Sequence, residues 1–171
     1  LKQAIVDSFA SGSMIHYMGH GSENIWADMN VFDNNDAAAL TNKNLPVVIA
    51  MNCLNAQYAD PSLNSFAEEL VFNPNGGAIA FWGSTSLTPP SVQSVYQNSF
   101  YSNLGQGQFD SLGELVKMSK LQGGLSSPYE EVLYSWSIIG DPMVSPSLSF
   151  TQNVTPDSGE TTPEVNTSSS A

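Results

Sequence analysis

An α/β domain built on a parallel sheet is the fold this chain predicts, on three observations. First, two bulky apolar runs, residues 14–18 and 47–51, each break abruptly into a polar turn, as buried strands do at their ends. Second, the runs at 47–51 and 78–82 flank a stretch, 61–72, with apolar residues at 63, 66, 67, 70 and 71, the spacing of an amphipathic helix. Strand, helix and strand in that order make a βαβ unit, which requires a parallel pair and a right-handed crossover. Third, further helical patterns follow the last of these strands, so helices are available to cover the sheet.

In chain order, residues 1–10 read as a helix with apolar positions 1, 5, 6 and 9, and Ser11-Gly12-Ser13 turns into the first strand. Gly19-His20-Gly21-Ser22 ends that strand as a turn and displays His20 at its carboxyl edge, where ligands bind in open α/β sheets. An oxygen-rich stretch comes next, with Asp28, Asn30, Asp33, Asn34, Asn35 and Asp36 before the short helix Ala37-Ala38-Ala39-Leu40. Two readings stay open there. The oxygens are hard-cation ligands and calcium is the structural ion they would take, or Asp36 caps the alanine helix and the rest are turn residues. Neither the glycine nor the distal glutamate of an EF-hand is in register, which favours the cap. The strand at 47–51 places Cys53 at a second strand end, and the third strand, 78–82, ends in Gly83-Ser84-Thr85-Ser86. Pro89-Pro90 opens a helix reaching about Leu104, another spans 111–121 with Leu112, Leu115, Val116 and Met118 as its apolar face, and the stretch from Tyr134 to Met143 closes the globule.

At 171 residues and 41% hydrophobic, the chain has material for one core, assigned to residues 1–150. Residues 151–171 are rich in Thr, Ser, Pro, Asp and Glu and read as a disordered linker or tail. Within it Asn153-Val154-Thr155 and Asn166-Thr167-Ser168 fit a glycosylation pattern that such a composition also produces by chance. The net charge of −12, with no arginine, repels a nucleic-acid backbone and excludes it as a partner. The longest apolar runs are five residues, too short to span a membrane as helices. Low total charge with abundant Ser, Asn and Thr suits a secreted or cell-surface bacterial protein, in which a lone cysteine invites a reactive role.

The chemistry at the expected rim is nucleophilic. A thiol attacks as thiolate and is mostly protonated at neutral pH, so Cys53 needs a base, and His20 is in place to serve. The N–H groups of Gly21 and Cys53 would form the oxyanion hole that acyl transfer requires. Buried lone cysteines are more often inert, but the pair is more informative than either member. His16, inside the strand, is assigned a structural role.

Tyr17-Met18-Gly19-His20-Gly21-Ser22-Glu23 with Trp26-Ala27-Asp28, then Ala39-Leu40-Thr41-Asn42, Met51-Asn52-Cys53 and Ile138-Ile139-Gly140-Asp141-Pro142, closely resembles the gingipain-type cysteine peptidases, family C25 of the caspase-like clan. The resemblance covers roughly residues 1–145. It implies a caspase-like three-layer αβα sandwich with a mainly parallel sheet, of which this chain is the C-terminal part of the catalytic domain. It also implies a cysteine endopeptidase with Cys53 as nucleophile and His20 as general base, a substrate pocket walled by Gly83, Ser84 and Thr85, and no required cofactor. Its partners are then protein or peptide substrates and the upstream half of the catalytic domain, which in this family carries further strands and a third catalytic acid. Two other functions remain at this stage: a processing peptidase or transpeptidase of a secretion system, and a non-catalytic caspase-like interaction module, against which the retention of both His20 and Cys53 argues.

Overall fold

The computed structural model describes residues 1–27, 31–125 and 130–145, the side chains at 125 and 130–132 excepted. A four-stranded sheet runs in the order β1 (Met14–Met18), β5 (Val47–Met51), β6 (Ala80–Ser84) and β7 (Trp136–Gly140). The first three strands are parallel and β7 is antiparallel to β6. β5 is buried along its whole length, as a central strand covered on both faces must be, which explains its unbroken Val-Val-Ile-Ala-Met sequence.

Successive side chains of a strand point to opposite faces, and β5 and β6 divide accordingly. Val48, Ala50 and Phe81 join a core with Phe9 of α1 (Lys2–Ser11), Ala37 of α2 (Asn34–Ala38) and Phe66, Ala67 and Leu70 of α3 (Phe66–Val71). Val47, Ile49, Met51, Ala80 and Trp82 face the other way, onto Val92, Tyr96 and Phe100 of α4 (Pro90–Gln106) and Leu112, Leu115 and Val116 of α5 (Leu112–Leu125). Helices therefore cover both faces, in the three-layer αβα arrangement. A short α6 (Glu130–Ser135) leads directly into β7.

Several boundaries differ from the sequence reading. The helix expected over 61–72 is only α3, because Ser65 caps it in a reciprocal box with Glu68 and Leu63 is left 64% exposed in the preceding turn. The third strand begins at Ala80, not Ala78: Gly77, at φ +86°, turns the chain, and residues 78 and 79 bond to Leu70 O and Pro46 O instead of joining the ladder. Asp33, not Asp36, is the N-cap of α2; Asp36 completes the capping box and pairs with Lys2. Met118, expected on the apolar face of α5, lies at 36% exposure, and Ser119 is buried in that helix with its hydroxyl donating to Leu115 O. A second, three-stranded antiparallel sheet of β2 (Gly21–Ser22), β3 (Ile25–Trp26) and β4 (Phe32–Asp33) was not foreseen. Asp28, Asn30 and the tail assigned to 151–171, with its two glycosylation patterns, lie outside the described residues.

Candidate active site

β1 and β5 run side by side in the register Met14↔Val47 through Met18↔Met51, and Gly19 N–H donates to Met51 O at 3.3 Å just beyond the last pair. His20 and Cys53 each follow two residues after the last pair, Met18↔Met51. Both lie past the carboxyl ends of neighbouring parallel strands, the edge at which the sequence placed them.

Three features hold the His20 loop. The Tyr17 hydroxyl donates to His20 O at 2.7 Å, and the Tyr17 ring stacks on buried Trp26 with 4.5 Å between centroids. Ala27 N–H donates to the same carbonyl at 2.9 Å, so His20 sits opposite Ala27 at a hydrogen-bonded position of the β2–β3 ladder. Antiparallel ladders alternate bonded and non-bonded pairs, so the next pair, Gly21↔Trp26, is non-bonded and the Gly21 N–H faces away from β3. His20 itself is exposed.

The Cys53 turn is fastened to that hairpin. A Cβ on Gly21 would overlap the Asn52 carboxamide and lie 3.2 Å from Cys53 O, so the glycine permits the two loops to touch. Asn52 Nδ2 donates to Asn55 Oδ1, and Asn55 Nδ2 donates to Ser22 O and, at 3.2 Å, to Ile25 O. Both asparagines are fully buried, and their carboxamides staple the turn after β5 to the hairpin after β1. Leu54 has φ +62°, a left-handed conformation unusual for a branched residue, and its N–H is held by Ser86 O at 3.2 Å. This reversal brings Asn55 N–H to 2.8 Å from Cys53 O and leaves Cys53 partly exposed at the turn.

The loop after β6 supplies the surroundings of the sulfur. Thr88 N–H points at Cys53 Sγ at 3.4 Å, the thiol lies 3.6 Å from Thr88 O as a donor, and Gln93 Nε2 lies 3.8 Å from the sulfur. Thr88 and Gln93 went unmentioned in the sequence reading. Only the Pro89-Pro90 helix start hinted that the chain turns back there. Of the expected pocket wall, Gly83 and Ser84 are buried. Gly83 lies in β6 between Ala50 and Ser137, and the Ser84 hydroxyl donates to Ser86 O at 2.8 Å and accepts from Ser86 N–H at 3.1 Å. Neither therefore presents a side chain to a ligand. Thr85, half-buried, donates through both N–H and Oγ1 to Ser135 O, at 2.7 and 2.8 Å. His16 packs its ring edge-on to Tyr101 at 5.4 Å, and partial burial holds its imidazole below the ordinary histidine range.

In the oxygen-rich stretch, one oxygen of each described carboxylate is engaged in the cap of α2. Asp33 accepts from Asn35 and Asp36 N–H, and Asp36 accepts from Asp33 N–H and Lys2. Among the described residues no group of three His, Cys, Asp or Glu side chains converges as a metal site.

The model of peptidase family C25 matches residues 1–147. The chain belongs to peptidase family C25. Among curated C25 relatives it is 25% identical to gingipain R2 of Porphyromonas gingivalis over 98% of this chain and 23% of that protein. It is 26% identical to gingipain R1 of Porphyromonas gingivalis over 81% of this chain and 15% of that protein. The chain thus spans about a quarter or less of the relatives it matches. Among solved structures, the crystal structure of the Arg-specific cysteine proteinase gingipain R superposes with a TM-score of 0.76 at 24% identity, covering 84% of this chain and 36% of that one. A complex of gingipain pro- and mature domains from Porphyromonas gingivalis superposes at 0.75, with the same identity and coverage. The αβα sandwich of this C25 chain is therefore the fold of the corresponding part of gingipain R.

Proposed function

We propose that the protein carrying this chain is a cysteine endopeptidase in which Cys53 attacks the scissile carbonyl and His20 takes and returns the proton. The observation that carries the reading is the β1–β5 register, which leads the only cysteine of the chain and the displayed histidine to the same sheet edge on adjacent strands. His20 accepts the proton from Sγ, the sulfur adds to the carbonyl carbon, and the developing oxyanion meets the N–H groups of Gly21 and Cys53. The imidazolium then donates its proton to the leaving amine, and water, deprotonated by the same imidazole, releases the acyl group from sulfur.

The substrate is a peptide or protein, bound along the rim formed by the His20 hairpin, the Cys53 turn and the end of β6 at Thr85. The activity is proposed for a larger catalytic domain, since gingipain R places this fold within a chain of which it occupies 36%. We assign the protein outside the cell or at its surface on composition, and no cofactor is invoked in the chemistry. Among the described residues no helix is long and apolar enough to cross a membrane. In the complete protein, Cys53→Ala should abolish cleavage of peptide substrates, and His20→Ala should cost nearly as much, each on the order of 10^4-fold or more, because members of one catalytic unit are not additive. Full activity in Cys53→Ala would remove the cysteine mechanism.

A further inference from the structure

The sulfur of Cys53 lies against a hydrogen-bond arrangement of Thr88 and Gln93 that the dyad does not use. Gln93, in the second turn of α4, is 4% exposed, and Thr88 is 5% exposed. Gln93 Nε2 lies 2.9 Å from Thr88 Oγ1, 3.1 Å from Thr88 O and 3.8 Å from Cys53 Sγ. The Thr88 hydroxyl has Asn52 O at 3.3 Å as its acceptor and also lies 3.9 Å from Cys53 Sγ, so its lone pairs are what Gln93 meets. One Nε2 hydrogen is thereby committed to Thr88 Oγ1, and the other has two acceptors, Thr88 O and the sulfur.

Which of the two it serves depends on the sulfur's proton. In the thiol form Sγ–H donates to Thr88 O and Sγ accepts from Thr88 N–H. Once the S–H bond breaks and its proton passes to the His20 imidazole, the electron pair stays on sulfur, which is then an acceptor only. Thr88 N–H already faces it, and the second Gln93 hydrogen is positioned to turn from the carbonyl to the charge.

We infer that Gln93 is a thiolate donor and positioning residue: it fixes Thr88 with its N–H on Cys53 Sγ and adds a second donor when the thiol ionises. This rests on the reading of Cys53 as nucleophile, and goes beyond it by naming what stabilises the ionised form. Hydrogen bonds to a charged group are stronger than those to a neutral one, so the donors favour thiolate over thiol.

The test is the pH profile of Cys53 alkylation by iodoacetamide, read by mass on the peptide that contains it, in the complete protein. Gln93→Leu removes the donor at similar size. Its rate at pH 7 should fall about five-fold, and the difference from wild type should shrink as the pH is raised. Gln93→Glu keeps the shape and replaces the donor by an acceptor oxygen, so it should also be slower at pH 7, and it serves if the leucine variant folds poorly. A loss equal at every pH would report altered access alone, and an unchanged rate at pH 7 in both variants would show no donor role; either overturns the inference. Alkylation needs no peptide substrate, so this outcome is separate from the nucleophile reading, which would fail by survival of peptidase activity in Cys53→Ala.

Discussion

Gly21 does one job through its absent side chain and another through its place in the ladder. It lets the hairpin after β1 press against Asn52 and Cys53 O, and it leaves a backbone N–H facing away from its ladder partner. Gly21→Ala forces the Asn52 carboxamide, buried and fully enclosed, to move; overpacking of this kind costs about 1–3 kcal/mol. The thermal midpoint by calorimetry should fall by roughly 5 °C for a domain of this size, and peptidase activity should fall by more than the stability loss explains. An unchanged midpoint would show that the two loops do not meet. The strand-end places of His20 and Cys53 were legible because each sits where an apolar run breaks. Gln93 was not. Its contact with Cys53 crosses forty positions of chain, and nothing in a glutamine inside a helix announces which loop will fold back against it. Ser84 was assigned to the pocket wall on the family resemblance alone, and its hydroxyl is engaged by the Ser86 turn.

At the scale of elements, long apolar periodicities were read closely and short ones were lost. β1 and β5 begin and end where their runs do, and β5, buried along its whole length, demands continuous apolar residues. The second sheet has strands of two residues, too short to show alternation, and is assembled by backbone pairing and by the stacking of Tyr17 on Trp26. β7 follows α6 without a turn residue between them, so no break in the sequence marks the change. For α3 the error lay in extending the helical pattern back through Pro61 to Leu63, when Ser65 with Glu68 three residues later was the start signal. That cap tests the element directly. Ser65→Ala removes the acceptor for Glu68 N–H and should cost about 1 kcal/mol, seen as a drop of roughly 3 °C in the midpoint. No change would mean that tertiary packing of Phe66, Ala67 and Leu70 alone sets the start of α3.

Across the whole molecule, a single sheet divides its side chains between two cores, and its carboxyl edge brings together loops from three separate parts of the chain. The hairpin after β1 carries His20, the turn after β5 carries Cys53, and the loop after β6 packs against the sulfur. That division was foreseeable from the βαβ unit; the antiparallel β7 and the clasp of Asn52 and Asn55 were not, since both depend on contacts between distant segments. The proposed mechanism requires the thiol and the imidazole at this edge to act as one unit. Its most direct test is covalent labelling of the complete protein at pH 7 with a peptidyl thiol-directed inhibitor, with the modified residue located by mass spectrometry. Stoichiometric label on Cys53, faster than with a non-peptide electrophile and slowed on the order of 100-fold or more by His20→Ala, is the predicted result. Labelling of Cys53 at the same rate with and without the His20 imidazole would contradict it.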